Sequence, residues 1–222
     1  MAGKPHLIVL IEDDPAMRES IASLLRSVGL RARSFASVEE FKASGQPERP
    51  TCLVVDVRLP GRSGLELQRD LMSAGIHLPM VFITAHADVL MSVQAMKQGA
   101  IDFLGKPFRD QTFLDAIRVG IERDAGALEE EESTGVLRSR FDSLTARERE
   151  VLDHVVRGRP NKRIARDIGI AEITVKFHRG NMMRKMRASS LCELTRMADQ
   201  LGQLRKDERT ASSRTPASPA TT

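Results

Sequence analysis

The feature that most constrains the fold is an alternation, in the first half of the chain, of short apolar runs with stretches of helical period. The runs are rich in β-branched residues and end at polar, glycine or proline residues, which is typical of buried strands. Between the first two runs, apolar residues recur every three or four positions from Met17 to Val28. This alternation predicts a five-stranded parallel sheet covered by helices on both faces. The predicted strands are Leu7–Ile11, a weaker alternating Leu30–Phe35, Cys52–Val55, Met80–Ile83 and Ile101–Leu104.

The second half of the chain carries helical signals only. An acidic run flanked by glycines, within 125–135, predicts a linker or a helix end that frays into one. Capping boxes are indicated at Ser37–Glu40 and at Thr145–Glu148. Further helices are predicted at Asn161–Ile168, Glu172–Met186 and Ser190–Leu201. The expected organisation is an α/β domain over 1–124, a linker over 125–141, a helical domain over 142–202 and a disordered tail over 203–222.

Composition excludes several classes of protein. No stretch approaches the roughly 18–20 uninterrupted apolar residues of a membrane span, so we expect a cytoplasmic protein with no membrane partner. Aromatic residues make up only 4%, all of them Phe, which argues against an aromatic platform for sugars or single-stranded nucleic acid. Cys52 and Cys192 lie far apart in apolar contexts and are expected to be small buried hydrophobes rather than a disulfide or metal pair.

Charge is divided unevenly along the chain. The formal net charge is +4, but residues 1–124 hold 15 basic and 16 acidic residues, whereas the remainder holds 19 basic and 14 acidic. Between Arg159 and Arg187 nine basic residues face only two acidic ones. The positive field therefore belongs to the second domain, where it suits a polyanionic partner.

Polar residues end four of the predicted strands. Glu12, Asp13 and Asp14 follow the first strand and Asp56 ends the third, while Thr84 and Lys106 follow the fourth and fifth. Carboxyl ends of parallel strands line one crevice, so these groups are expected to converge. Clustered hard carboxylates suit Mg²⁺, and a hydroxyl and an ammonium beside it form a receptor for a tetrahedral anion. Asp14 competes with Asp13 for the metal role, and His86 is read as a loop histidine.

These residues resemble the receiver domains of two-component response regulators, of the type of FixJ and NarL. The resemblance covers roughly residues 5–123 and includes the spacings of 43 residues from Asp13 to Asp56, 28 to Thr84 and 22 to Lys106. The matching phrases are Asp56-Val-Arg-Leu-Pro-Gly, Ile83-Thr-Ala-His and Asp102-Phe-Leu-Gly-Lys-Pro-Phe108. The implied fold is a flavodoxin-like (βα)5 receiver.

The resemblance also implies a role for each of these positions. Asp56 would accept a phosphoryl group from a sensor histidine kinase. Asp13, Asp56 and the backbone carbonyl of Arg58 would bind Mg²⁺, with Glu12 acting mainly through water. Thr84 and Lys106 would contact the phosphoryl oxygens, and Phe103 matches the switch aromatic. We also expect that Lys106-Pro107 can hold a cis bond.

The basic region has the layout of a helix-turn-helix. Helix Asn161–Ile168, the turn Gly169–Ala171 and a helix from Glu172 predict that the second helix enters the major groove. One stripe of that helix is expected to face the core, through Val175, His178, Met182 and Met186. The residues expected on the opposite, outward side are Lys176, Phe177, Gly180, Arg184 and Arg187.

This region resembles the LuxR-type helix-turn-helix domain, a four-helix unit, over about residues 142–201. The resemblance rests on Leu144–Leu152, Asn161–Ala165 and Thr174–His178, with Arg184–Met186 and Leu191–Leu194 continuing it. It implies base contacts by Lys176, Phe177 and Gly180. It implies backbone contacts by Asn161, Lys162, Thr174, Arg184 and Lys185.

Two positions depart from the pattern of that family. Ala171 stands where the family has a Ser or Thr cap, and Gly180 lies in the middle of the recognition helix. Each departure is expected to cost about 1 kcal/mol of helix stability.

The leading hypothesis is a transcription factor activated by phosphorylation of Asp56. Phosphorylation would change the face around the fourth helix, fifth strand and fifth helix, favour a homodimer and promote binding to double-stranded promoter DNA, with RNA polymerase as a partner if the factor is an activator. We expect no enzyme beyond assistance to its own phosphorylation and dephosphorylation. The alternatives are a Mg²⁺-dependent phosphatase or phosphotransferase that uses Asp56 as nucleophile, and a binding module with a degenerate DNA domain.

Overall fold

A computed structural model of the chain describes residues 6–45, 47–86 and 88–212, with side chains described up to residue 202. The chain forms two compact units that divide between Glu130 and Glu131. No helix in this described part is long and apolar enough to cross a membrane.

The first unit is built on a parallel sheet of five strands in the order β2-β1-β3-β4-β5. This confirms the predicted flavodoxin-like architecture. Its elements are β1 (Leu7–Ile11), α1 (Pro15–Ser27), β2 (Arg31–Phe35), α2 (Val38–Ala43), β3 (Thr51–Asp56), α3 (Gly64–Ser73), β4 (Met80–Thr84), α4 (Val89–Lys97) and β5 (Asp102–Gly105), followed by the start of α5 (Asp110–Asp142).

The sheet is buried on both faces because successive strand residues point to opposite sides. Val9, Leu53 and Val55 pack with α2, α3 and α4 on one face. On the other face, Ile8 and Val54 pack with α1 and α5. The central strands thus have no polar face, which is why they appear in the sequence as continuous apolar runs.

The second unit is helical. After the C-terminal part of α5 it contains α6 (Ala146–Val156), α7 (Asn161–Ile168), α8 (Glu172–Met186) and α9 (Leu191–Ser212). Its core is formed by apolar side chains of all five helices. The core includes Leu137, Phe141, Val151, Leu152, Ile164, Val175, Met182, Met186 and Leu194.

The structure differs from the sequence expectations at both ends of this unit. The expected linker 125–141 is helical throughout, as part of α5, and Leu137 and Phe141 are buried in the second core. The expected disordered tail 203–222 is helical up to Ser212, while residues 213–222 lie outside the described residues. Residues 203–209 are mostly good helix formers, including Leu204, Arg205 and Lys206, so the backbone continues the turn begun in α9.

The predictions for the two capping boxes and the two cysteines are only partly confirmed. The Thr145–Glu148 capping box is confirmed, with both reciprocal hydrogen bonds present. Ser37 caps α2 through the Glu40 amide, but the Glu40 carboxylate accepts from Ala36 N rather than from Ser37 N, so that box is incomplete. Cys52 is buried as expected, whereas the prediction for Cys192 is wrong because its side chain is exposed near the start of α9.

Candidate functional site

A group of carboxylates lies at the point where the strand order of the sheet reverses. Glu12 and Asp13 directly follow β1, and Asp56 is the last residue of the neighbouring β3. One carboxylate oxygen from each of the three lies within 4.8 Å of the others. Glu12 and Asp56 are only 1% and 6% exposed, while Asp13 is open to solvent. Oxygen ligands so close together repel one another unless a cation neutralises them, so the donor set fits a hard cation such as Mg²⁺.

Lys106, directly after β5, provides one positive charge at this site. Its Nζ donates to Glu12 Oε2 at 2.7 Å and to Asp56 Oδ2 at 2.6 Å. Burial by itself would lower the pKa of Lys106, but the two carboxylates raise it above its ordinary value, so the ammonium stays charged. Burial also raises the pKa of Glu12, an effect that the hydrogen bond from Lys106 only partly offsets.

The structure separates Asp13 from Asp14. The Asp14 carboxylate caps α1, accepting from Ala16 N at 2.8 Å and Met17 N at 3.3 Å. Asp14 is therefore committed to the helix start, and Asp13 is the residue whose oxygen lies with those of Glu12 and Asp56.

The remaining receiver candidates lie along the same edge of the sheet. Thr84 ends β4 and is fully buried, and its Oγ accepts from His86 N at 3.3 Å. The Thr84 carbonyl accepts from Lys106 N at 2.7 Å, which fixes the β4 and β5 ends side by side. Arg58 N donates to Asp56 Oδ1 at 2.9 Å. The Lys106–Pro107 peptide is cis, as expected.

Phe103 lies within β5 and is half-buried. Its ring centroid lies 6.2 Å from that of Phe82 in the adjacent strand. The ring therefore packs at the margin of the core rather than deep within it.

In the second unit, α8 has one face turned to the core and one turned to solvent. Val175, Met182 and Met186 are fully buried, as predicted for the core stripe, whereas His178 on the same stripe is only half-buried. Its place toward the edge of that stripe explains the difference. The residues predicted to face outward, Lys176, Phe177, Gly180, Arg184 and Arg187, are all exposed.

The candidates for contact with the DNA backbone do not form a uniform set. Lys162 is exposed, Thr174 is half-buried, and Asn161 accepts a hydrogen bond from Arg179 at 3.1 Å. Lys185 is engaged inside the unit, since its Nζ donates to Glu148 Oε2 at 2.6 Å and to Ser143 O at 3.1 Å. Its ammonium thus donates hydrogen bonds to the glutamate of the α6 capping box and to a backbone carbonyl just after α5. Residue spacing along α8 does not predict these contacts.

Sequence reasoning missed Ile173. Its side chain is 73% exposed, one turn before Phe177, which is 65% exposed. Its helical position was the available signal, because residues four apart share a face.

Together, the fold and the site define a receiver domain joined to a helix-turn-helix domain. A family model for the response regulator receiver domain matches residues 8–118. A second model, for bacterial regulatory proteins of the luxR family, matches residues 142–198.

Whole-chain relatives agree with that organisation. Nodulation protein W of Bradyrhizobium diazoefficiens is 48% identical over 201 residues, covering 90% of this chain and 88% of that protein. The transcriptional regulatory protein FixJ of Azorhizobium caulinodans is 45% identical over 189 residues, covering 85% of this chain and 90% of that protein. Among solved structures, the response regulator StyR matches with a TM-score of 0.82 at 43% identity, over 89% of this chain and all of that chain.

The chain therefore belongs to the two-component response regulators of the FixJ type, with a receiver domain and a LuxR-type DNA-binding domain. Members of this family are transcription regulators rather than classical enzymes.

Proposed function

We propose that this protein is a cytoplasmic transcription factor that is switched by phosphorylation of Asp56, with a sensor histidine kinase as the phosphodonor. The observation that carries the proposal is the contact of a buried carboxylate, Asp56, with the ammonium of Lys106, whose side chain is 12% exposed, beside Glu12 and Asp13. Such a site combines a nucleophilic oxygen with a fixed positive charge at the place where an anionic group would arrive.

In the proposed reaction, an oxygen of Asp56 attacks the phosphorus of a phosphohistidine. The phosphorus–nitrogen bond breaks as the new phosphorus–oxygen bond forms, and the histidine leaves with the bonding electron pair. Lys106 and the hydroxyl of Thr84 stabilise the phosphoryl oxygens by hydrogen bonds. The receiver thereby assists only its own phosphorylation and, with water as acceptor, its own dephosphorylation.

The metal of the proposed site is Mg²⁺. Asp13, Asp56 and the backbone carbonyl of Arg58 would hold it, with Glu12 acting mainly through water. The close-set oxygens of the three carboxylates support this assignment. When bound, the ion would neutralise charge on the phosphoryl oxygens.

Phosphorylation would be transmitted through Thr84 and Phe103 to the face formed by α4, β5 and α5. On α4 this face carries four exposed apolar side chains, at Val89, Leu90, Val93 and Met96. Exposed apolar side chains grouped on one short helix favour association, so we propose that the phosphorylated protein forms a homodimer through this face.

The dimer would bind double-stranded promoter DNA through two copies of α8. Linking two weak DNA contacts raises their combined affinity through effective concentration. The proposed DNA contacts are Lys176, Phe177 and Gly180 at the bases, and Asn161, Lys162, Thr174 and Arg184 at the backbone. Lys185 stands apart, because its ammonium is held by Glu148. RNA polymerase is a further partner if the protein activates transcription.

The experiment that tests this function is phosphoryl incorporation from a small phosphodonor, measured by intact-protein mass spectrometry with and without Mg²⁺. We expect one phosphoryl group on the wild type with Mg²⁺ and little with EDTA, because the carboxylates would then repel the donor. Asp56→Asn should acquire none. Asp115→Asn, which changes a half-exposed carboxylate on α5 that pairs with Arg118, is the matched control and should behave as the wild type. Equal incorporation by Asp56→Asn would refute the proposal.

A further inference from the structure

The outward face of the recognition helix α8 carries two large apolar side chains. Ile173 is 73% exposed and Phe177 is 65% exposed, although Val175, Met182 and Met186 on the opposite face of the same helix are fully buried. The unit therefore has a complete core without them. Burying either apolar side chain would stabilise the complex with the surface that covers it. Their exposure therefore indicates a binding partner.

The two side chains belong to a narrow stripe with a defined shape. At 3.6 residues per turn, Ile173, Phe177, Gly180 and Arg184 lie within about 60° of one another around the helix axis. A Cβ placed on Gly180 would meet nothing within 4 Å, so nothing in the part of the chain that the structure describes requires a glycine there. Along the stripe, the apolar side chains of Ile173 and Phe177 are followed by Gly180, where the backbone is not covered by a side chain, and then by the guanidinium of Arg184.

The charges around the stripe indicate what covers it. Lys176 and Arg184 are exposed on the same side of α8, and Arg187 is exposed at its C-cap. Glu172 is an acidic residue beside them, and its Oε1 lies 3.9 Å from Lys176 Nζ. An apolar pair set among cations fits a surface that is anionic overall and locally apolar. The major groove of duplex DNA has that chemistry, since phosphates line it and thymine alone among the four bases presents a methyl group there.

Neither side chain can read a base by hydrogen bonding, because isoleucine and phenylalanine have no side-chain donor or acceptor. Contact with the thymine methyl is the direct readout open to them. Four helical residues rise about 6 Å, which is close to two base-pair steps of about 3.4 Å.

We propose that Ile173 and Phe177 are specificity-determining residues that read the 5-methyl groups of two thymines lying about two base pairs apart in each half-site. The inference rests on the proposed binding of promoter DNA by α8. Gly180 leaves room for the groove wall beside these contacts, while Arg184 and Lys176 supply the electrostatic attraction.

The test begins with selection of duplexes from a random library by the full-length protein in the presence of a phosphodonor. Each thymine of the selected site is then replaced by deoxyuridine, which removes the methyl and keeps every hydrogen-bonding group. We expect two positions, about two base pairs apart, at which this replacement weakens binding by about four-fold each, the effect of one buried methyl.

Variants assign the effect to the two side chains. Ile173→Ala should abolish the methyl effect at one position and Phe177→Ala at the other. Lys176→Ala is the matched control, since loss of its charge should weaken binding to thymine and deoxyuridine duplexes alike. Because all three side chains are exposed, the thermal midpoint should be unchanged, which circular dichroism can verify.

The outcomes separate this inference from the proposed function. Sequence-selective binding that is indifferent to deoxyuridine, or a methyl effect that survives in the double variant, would overturn the methyl readout and leave the DNA-binding function intact. Absence of any selected sequence, together with absence of salt-dependent duplex binding, would overturn both.

Discussion

At the scale of single residues, Lys106 allows Glu12 and Asp56 to share a buried edge of the sheet. The side chains of the two acids are 1% and 9% exposed and that of Lys106 is 12% exposed, so water screens these pairs poorly. By contrast, Lys42 and Asp70 form a pair at a similar distance with side chains close to 40% exposed. The two lysines thus make the same kind of contact in very different surroundings.

Lys106→Met should therefore destabilise the receiver far more than Lys42→Met. Removing Lys106 leaves two buried carboxylates without their partner, which we expect to cost about 3 kcal/mol in EDTA. Removing Lys42 breaks a solvated pair and should cost less than about 1 kcal/mol. Urea unfolding followed by circular dichroism measures both, because the chain has no Trp or Tyr to report on folding. Equal losses would contradict the buried bridge.

In the second unit, Glu148 has a comparable role. Its carboxylate accepts from Thr145 N at 2.8 Å and from Lys185 Nζ at 2.6 Å. Burial alone would raise the pKa of Glu148, but these hydrogen bonds hold it below its ordinary value. A carboxylate with a lowered folded-state pKa contributes stability above its unfolded pKa, and that contribution is lost as pH falls through the folded-state pKa.

Glu148→Gln is accordingly expected to lower stability by about 1–2 kcal/mol at neutral pH. The difference from the wild type should narrow as the pH falls below about 4.3, the pKa of an unperturbed glutamate, and on through the lower folded-state pKa of Glu148, because the wild-type carboxylate then becomes protonated. Glu150→Gln removes an exposed pair with Arg147 and should have little effect at either pH. A pH-independent difference at Glu148 would show that its charge does not matter.

At the scale of elements, the sequence predicts what depends on local period and on strand ends. All five strands and helices α7 and α8 are found at the predicted positions, because buried runs and three-to-four spacing are properties of neighbouring residues. The role of Asp14 as the cap of α1 depends on side-chain geometry. The pairing of Lys185 with Glu148 depends on a contact between residues 37 positions apart in the sequence. Helix α5 continues through 125–141 because Leu137 and Phe141 pack into the core of the second unit. The acidic run before them in the sequence does not indicate this burial.

The start of α8 bears out one sequence expectation in detail. Ala171 is the N-cap, with extended backbone, and it makes no side-chain capping hydrogen bond. The amides of the first turn therefore lack the acceptor that a serine would offer.

Ala171→Ser should add that acceptor and stabilise α8 by about 1 kcal/mol. Hydrogen exchange at the amides of Ile173 and Thr174 should slow accordingly. Ala74→Ser is the control, because it adds the same hydroxyl at the exposed C-cap of α3, away from the free amides of a helix N-terminus. It should change the stability of the protein little. Unchanged exchange in the first turn of α8 would argue against a missing cap.

At the scale of the whole molecule, each unit carries features that suit a partner. In the receiver these are the phosphoacceptor candidate Asp56 and the exposed apolar face of α4. In the helical unit they are the basic outward side of α8 with its apolar pair. We propose that phosphorylation of the receiver controls DNA binding by the helical unit through dimerisation. Phosphorylation of Asp56 would then bring two copies of α8 to the DNA together.

A variant can separate dimerisation from phosphorylation. Leu90→Glu with Val93→Glu places charge on the α4 face without touching the carboxylates, so the protein should still accept the phosphoryl group. Val28→Glu, an exposed position at the end of α1 on the other face of the sheet, is the matched control.

The most direct measurement is the affinity of the full-length protein for its selected duplex, with and without a phosphodonor. We predict that the phosphodonor raises the affinity of the wild type and of Val28→Glu by about ten-fold or more. Asp56→Asn and the α4 double variant should show no such rise. An equal affinity of the wild type in both conditions, or a full response by Asp56→Asn, would contradict phosphorylation of Asp56 as the switch.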